Sequence, residues 1–327
     1  MSDEWLTTTG GGRVEGLGGK GDGLARLVAA GMPVPPALVV TAAAWRAVVE
    51  PVAARIEAEL ADVGTDEPGF AAACARVRAL VRDTPDPAGV GAAVAAAYRD
   101  FAERHGPHVA VRSSSLAEDS AETSFAGEHD SILWVHGPDE VVAHVRRCWA
   151  SLYTDRAVAY RRRAGLGSDA MAVVVQHMVD ARAAGVMMTL NPVNGDRSVL
   201  LVESTWGLGE PLVGGLVTPD RFTMDKVTGE VRRRVLSDKP RRMERDPGPT
   251  GGTRWADVPQ AQRDAASLTE TEQANLDGAA AVGMATHLMD IRDPGASVAA
   301  LLGRLNMPAR EPERLFRTPA PRWLPPT

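Results

Sequence analysis

The period of the apolar residues changes near residue 108, and that change restricts the fold more than any single motif does. Upstream, apolar positions recur at helical spacing. Residues 24–30 read as a short helix that Gly31 closes, with Pro33, Pro35 and Pro36 behind it as a stop. Thr41 is placed to cap a second helix through Trp45, Val48 and Val49 towards Leu60. Residues 69–82 and 89–104 predict two more helices, the second ended by Gly106 and Pro107. Downstream, short extended runs appear at 108–112, 131–135, 171–175, 186–190 and 199–202. Residues 139–163 interrupt them with helical periodicity, carried by Val142, Val145, Trp149, Leu152 and Tyr153. Residues 221–235 read as a hairpin turning at Thr228 and Gly229, and 237–259, rich in Pro, Gly and charge, as an exposed loop or linker. Helix returns at 267–287. Helices first and mixed elements afterwards predict an α+β protein of two lobes, without internal repeats or low-complexity tracts.

Composition removes several function classes. Thirty-six Lys and Arg against 42 Asp and Glu leave a net charge of −6, so no general basic field recruits nucleic acid. No stretch of about 18 residues stays apolar and uncharged, which argues against a membrane span. The opening Met1-Ser2-Asp3-Glu4 is acidic with no apolar run behind it, the pattern of a cytoplasmic rather than a secreted chain. Cys74 and Cys148, the two cysteines, build neither a disulfide framework nor a multi-cysteine zinc site; each reads as a small buried apolar residue of a helix.

Four segments carry residues suited to chemistry. Gly16-Leu17-Gly18-Gly19-Lys20-Gly21 matches the glycine spacing of dinucleotide folds, but no strand is predicted before it and no acidic residue closes a second strand. It is not a Walker loop either, because Gly21 follows Lys20. What remains is a glycine loop with a lysine at a helix start, where N–H groups and an ammonium suit an anion. From this segment alone a solvated glycine turn explains it equally well. Residues 109–115 deliver Arg112 and three serines to the end of an apolar strand, a pattern for bidentate phosphate recognition or for an ordinary loop exit with a surface ion pair. Residues 171–180 form a buried run that turns polar at Gln176 and His177; the edge of such a strand can hydrogen-bond a base, while His177 reads as structural. Glu203 and Glu210 flank a glycine turn, with Thr218-Pro219-Asp220 beyond it.

The order of these segments is more specific than any one of them. GGKGDGLARLVAAGMPVPPALVVT, VAVRSSSLAEDSAETSFAGEHDS, RRCWASLYTDRAVAYRRRAG, VVVQHMVDARAAGVMMTLNPVNGD and ESTWGLGEPLVGGLVTPDRF succeed one another in one chain. Together they closely resemble the ATP-binding domain of the phosphoenolpyruvate synthase, pyruvate phosphate dikinase and rifampicin phosphotransferase family, from about residue 18 to about 287. The resemblance implies an ATP-grasp-like fold with Mg-ATP in a cleft between an N-terminal lobe, residues 1–185, and a C-terminal lobe, residues 186–327. It also implies transfer of the β-phosphate to a histidine on a swivelling domain, with AMP and phosphate released. By motif, Lys20 resembles the phosphate-contacting lysine and Arg112 the arginine of V-R-S-S. Gly127 and Ser131 match the segment over the phosphates, and Gln176 the adenine hinge. Glu203 falls in the E-x-x-W-G-L-G-E block. Lys20, Arg112 and Arg310 are the residues implied to act on the transferring group.

Two departures stand out. The family's Thr-His-Ala phosphohistidine signature surrounds none of His105, His108, His129, His136, His144, His177 or His287. The expectation is therefore a split system, with the histidine domain and an acceptor-binding subunit supplied in trans. Family strands of the type D-I-E-W and L-Q-A-R-P correspond here to Asp290-Ile291-Arg292-Asp293 and Asn306-Met307-Pro308-Ala309-Arg310. Arg310 is kept, but Arg292 stands for a metal-binding Glu and Pro308 for a Gln. Asp290, two residues from Arg292 on the same strand face, can restore a carboxylate for Mg²⁺ through a register slip. The altered strands equally fit a degenerate relative that binds nucleotide without catalysis or scaffolds a partner.

Overall fold

Met171–His177 is apolar through five successive positions, so an extended conformation there requires cover on both faces. The computed structural model describes residues 4–9, 15–29, 34–61, 63–65, 68–86, 88–116, 131–165, 170–248, 251–270 and 273. The chain divides into two compact units, Met1–Ala25 with Pro35–Met178, and Arg26–Val34 with Val179–Thr327. In the first, the strands are β1 (Leu6–Thr8), β2 (Ala37–Val40), β3 (Val109–Ser115), β4 (Ser131–Val135) and β5 (Met171–His177). They form one antiparallel sheet in the order β1-β2-β5-β3-β4, which puts the apolar β5 at its centre. The mixed helix and strand content agrees with the α+β expectation.

One face of this sheet packs on helices. Leu38, Val40, Val109, Val111, Met171, Val173 and Val175 share a buried core with α2 (Ala42–Val49), α3 (Ala53–Ala61), α4 (Phe70–Asp83), α5 (Val90–His105) and α6 (Pro138–Ser151). In α4 the buried positions Phe70, Ala73, Cys74, Val77 and Val81 repeat at helical spacing. Cys74 and Cys148 are free and fully buried, and burial pushes the Cys74 thiol above its ordinary pKa. The Asp86 carboxylate accepts the Val90 and Gly91 N–H groups at 3.0 and 2.6 Å, which starts α5.

Local chemistry accounts for the differences from the sequence reading. A short strand, β1, does precede the glycine loop. Thr41 occupies the cap position of α2, but its hydroxyl donates to the Glu4 carbonyl at 2.7 Å and takes no helix N–H. Pro51 lacks an N–H, so the helix expected to run on to Leu60 passes through a 3-10 turn at Glu50–Val52 and resumes as α3. The helix expected over 139–163 breaks at Leu152–Thr154, where the Thr154 hydroxyl accepts the Ala157 N–H at 3.2 Å and opens α7 (Asp155–Arg163).

In the second unit β6 (Ala183–Met188), β7 (Val199–Trp206), β8 (Asp220–Asp225) and β9 (Val231–Val235) form an antiparallel sheet in chain order. The expected hairpin over 221–235 is present, with Asp225 Oδ1 accepting the Val227 and Thr228 N–H groups in its turn. Met187, Leu200, Val202, Phe222 and Met224 are the core of this unit. The stretch read as a linker holds two strands, β10 (Arg241–Arg245) and β11 (Thr253–Asp257), which pair Met243 with Trp255 and lay Arg241 over the Trp255 ring at 5.0 Å. Its charge had hidden a period of two. The helix expected over 267–287 lies almost wholly outside the described residues. No helix among the described residues is long and apolar enough to cross a membrane.

A buried polar knot closes the second unit. Lys239 Nζ donates to Asp220 Oδ1 at 2.6 Å, with both side chains fully buried, and to the Ser237 carbonyl at 2.7 Å. Asp220 Oδ1 also accepts the Ser237 N–H, and Oδ2 accepts the N–H and hydroxyl of Ser267. The Ser267 hydroxyl meets that of Ser204 at 2.7 Å. A buried carboxylate with several donors persists because each lone pair is used; removing its cation leaves an uncompensated charge. Lys239→Met should therefore cost about 3–5 kcal/mol, read as a lower urea midpoint. The double change Asp220→Asn with Lys239→Met should cost less than the single change. Equal losses would mean that the pair adds nothing beyond its separate hydrogen bonds.

Candidate functional site

The glycine loop and the V-R-S-S strand meet at one side chain. Helix α1 (Gly18–Ala29) begins inside the glycine run, six residues before the expected start at Leu24. Three glycines are poor helix formers, and their compensation comes from β3. Ser114 Oγ accepts the Lys20 and Gly21 N–H groups, each at 3.1 Å, and donates to the Leu17 carbonyl at 2.8 Å. A distant serine thus caps the helix. Gly18 sits at φ +68°, and a Cβ added there would lie 2.3 Å from the Ser114 carbonyl oxygen. Only glycine allows this approach.

Register then gathers the other residues. Ser114 lies opposite Ala172, Arg112 opposite Val174 and Ala110 opposite Gln176 across β3 and β5. On its other side Arg112 lies opposite Ser131 of β4. Directly opposed residues share a face, so Gln176, Arg112, Ser131 and Ser114 stand on one face, away from the helical core. Helix α1 covers part of that face: a Cβ on Gly21 would come within 3.6 Å of Val39 Cγ1. Lys20 is therefore in the first turn of a helix whose N-terminus is tied beside Arg112, and that first turn carries no acidic residue. Donors, the positive helix end and two cationic side chains on one sheet face suit a polyanion.

The remaining expected residues are placed as follows. Gln176 is buried, and its amide donates to the Pro35 carbonyl at 3.1 Å. Of the three serines, Ser114 is committed to the helix start. Ser113 faces the core side, with its hydroxyl buried and unbonded among the described residues. Glu203 belongs to the second unit, on β7, and accepts from the Arg221 guanidinium at 2.9 and 2.5 Å. Gly127, Asp290 and Arg310 lie outside the described residues. Sequence reasoning missed Arg221, which stands directly opposite Glu203 across β7 and β8. An antiparallel pairing of 199–206 with 220–225 was the signal that would have found it.

His177 ends β5 on the opposite face, as a structural histidine. Its Nδ1 is buried without a hydrogen bond, and a Cβ on Gly106 would sit 3.6 Å from its ring. Burial, and secondarily the nearby His105, hold its pKa below the ordinary value. The unfolded chain then binds the proton more readily than the folded one. Stability is unaffected above about pH 6.5 and falls as the pH drops below it. Melting temperatures between pH 7.5 and 5.5 should decline less steeply in His177→Gln than in the native protein; identical slopes would remove His177 from the acid response.

Ser114→Ala orphans two N–H groups and should cost about 1–3 kcal/mol. Ser113→Ala, which removes an unbonded buried hydroxyl, should be neutral or mildly stabilising. Gly18→Ala should melt several degrees lower than native. If Ser113→Ala is the more damaging serine change, the capping assignment fails.

Residues 14–294 match the family model described as the pyruvate phosphate dikinase AMP/ATP-binding domain. Over 260 residues the chain is 43% identical to the prodigiosin synthesizing transferase PigC of Serratia marcescens, a match covering 80% of this chain and 28% of PigC. It is 41% identical over 258 residues to a probable phosphoenolpyruvate synthase of Staphylothermus marinus, covering 75% of this chain and 31% of that protein. With the phosphoenolpyruvate synthase of Aeropyrum pernix it shares 41% over 240 residues, covering 71% and 29%. The chain thus spans less than a third of the length of these relatives. A match over residues 14–294 covers most of the chain, and the protein belongs to the pyruvate phosphate dikinase AMP/ATP-binding domain family.

Proposed function

We propose that the chain is the ATP-binding module of a dikinase-type phosphotransferase with an ATP-grasp-like arrangement of two lobes, acting in the cytoplasm. The observation that carries this reading is the gathering of Lys20, Arg112, Ser131 and Gln176 at one sheet face, with the start of α1 tied to it by Ser114. In this reading Lys20 and Arg112 hold the phosphate chain, Ser131 adds a hydroxyl, and the strand edge at Gln176 receives the adenine. Gly127 and Arg310 complete the phosphate contacts. Preorganised cations and N–H groups are what a transferring phosphoryl group needs most. ATP and water then yield a phosphohistidine, AMP and phosphate, the β-phosphoryl group passing to a histidine on a separate swivel domain. An acceptor-binding subunit uses it in turn.

Magnesium belongs to this reading as the counter-ion of the phosphates. Among the described residues no three carboxylates or histidines converge as a metal site, and the Glu203 carboxylate is engaged by Arg221. These residues by themselves do not fit the metal, which leaves Asp290 as the expected ligand. A second reading, a nucleotide-binding subunit without catalysis, draws on Arg292 and Pro308, which stand where the family resemblance places Glu and Gln.

Calorimetry separates these readings in part: the native protein should bind ATP, and Lys20→Ala or Arg112→Ala should each lose about 1.5–3 kcal/mol. Native protein that binds no ATP, with or without Mg²⁺, would sink both readings. Mixed with a histidine domain of its own system, the chain should turn radiolabelled ATP into AMP. ADP as the main product would reject dikinase chemistry, and no turnover despite binding would favour the non-catalytic subunit.

A further inference from the structure

The second sheet has a core face and an open face, and the open face carries an arrangement that the family match does not assign. Leu200, Val202, Phe222 and Met224 point to the core. Alternation along β7 therefore sends Leu201, Glu203 and Thr205 to the other side, with Arg221 and Thr223 of β8 beside them by register. Glu203 Oε1 accepts from both Nε and Nη2 of Arg221. The Arg221 side chain is 55% exposed and that of Glu203 20%.

An ion pair this exposed contributes little to folding. Its geometry does something else: one carboxylate oxygen grips one edge of the guanidinium and leaves the Nη1 side directed outwards. A fork already held in place loses less side-chain freedom when it meets an anion. A bare carboxylate on this face would repel a phosphate chain, and Arg221 reverses that sign. Two further groups point the same way. Thr205, two residues along β7 on the same face, is 1% exposed, and its hydroxyl finds no partner among the described residues. Arg233, exposed on β9, lies opposite Thr223.

We propose that Arg221 binds the phosphate chain of the nucleotide and that Glu203 is its positioning residue, not itself a ligand. The proposal rests on the nucleotide-binding reading above and adds to it a residue outside the family's quoted motifs, together with a different role for Glu203.

The test is calorimetry with ATP and with adenosine on the full chain, each variant first checked for a native-like melt. Arg221→Ala should weaken ATP about ten- to hundredfold, the loss of one charge-assisted contact, and leave adenosine unchanged. Arg221→Lys, which keeps the charge and loses the fork, should fall between native and Arg221→Ala. It carries the test by itself if Arg221→Ala does not fold. Glu203→Gln should weaken ATP in the native background and add no further loss once Arg221 is alanine. Unchanged ATP affinity in Arg221→Ala, or in Arg221→Lys where that variant stands alone, overturns the proposal. So does a Glu203→Gln loss that is undiminished without Arg221, because Glu203 would then act directly. Native protein that binds neither ATP nor adenosine overturns the underlying reading instead.

Discussion

The three hydrogen bonds of Ser114 are the contact on which the first unit's candidate site depends. A helix opening with Gly18, Gly19 and Gly21 around Lys20 has low intrinsic stability, and its first N–H groups need an acceptor. A local cap would use a side chain just before the helix. Here the acceptor comes from residue 114, so the helix start is defined only when β3 is in the sheet. The position of Lys20 relative to Arg112 is therefore a property of the assembled sheet. The cost appears at Gly18, where the backbone must adopt φ +68° with the Ser114 carbonyl against it.

The second unit solves a different problem. Its core of five fully buried residues is small, and much of its remaining surface is charged strand. Asp220, Lys239, Ser237, Ser267 and Ser204 supply the cross-links that apolar burial does not, joining β8 and β7 to segments far along the chain. Desolvating a carboxylate and an ammonium opposes folding, and the several hydrogen bonds they share offset it. Such a network is specific in a way that an oily contact is not, because a register shift of one residue would expose Asp220 and bury Arg221.

How much of this was legible follows from the range of each interaction. Apolar periodicity marked α4, α5, β3, β5 and the hairpin of β8 and β9, because local spacing decides those. The same periodicity overran Pro51 and Thr154, where a missing N–H and a cap break the helix at little change in hydrophobicity. Strands β10 and β11 stayed hidden because their alternation is carried by arginines, Met243 and Trp255 rather than by aliphatic residues. For the site, Lys20, Arg112, Ser131 and Gln176 were readable as residues, whereas their common face was not, since it follows from the pairing of β3 with β4 and β5. The role of Ser114 was misread for the same reason: a serine triplet after an arginine looks like a phosphate loop until the helix that needs its hydroxyl is placed.

Charge gives the last step. The resemblance leads one to expect carboxylates around the phosphates, at Glu203 and at the position that Arg292 now holds. Exchanging a Glu for Arg292 moves that position by two units of charge, and the Arg221 partner cancels the charge of Glu203. Both changes have the same sign. Carboxylates near a phosphate chain are tolerable when a cation stands between them, and guanidinium groups can meet phosphate directly. A chain that trades the first for the second shifts part of the neutralising charge from a bound ion to its own side chains. The altered end strands and the Glu203–Arg221 pair then read as one adjustment, with Lys20 and Arg112 unaffected on the other sheet.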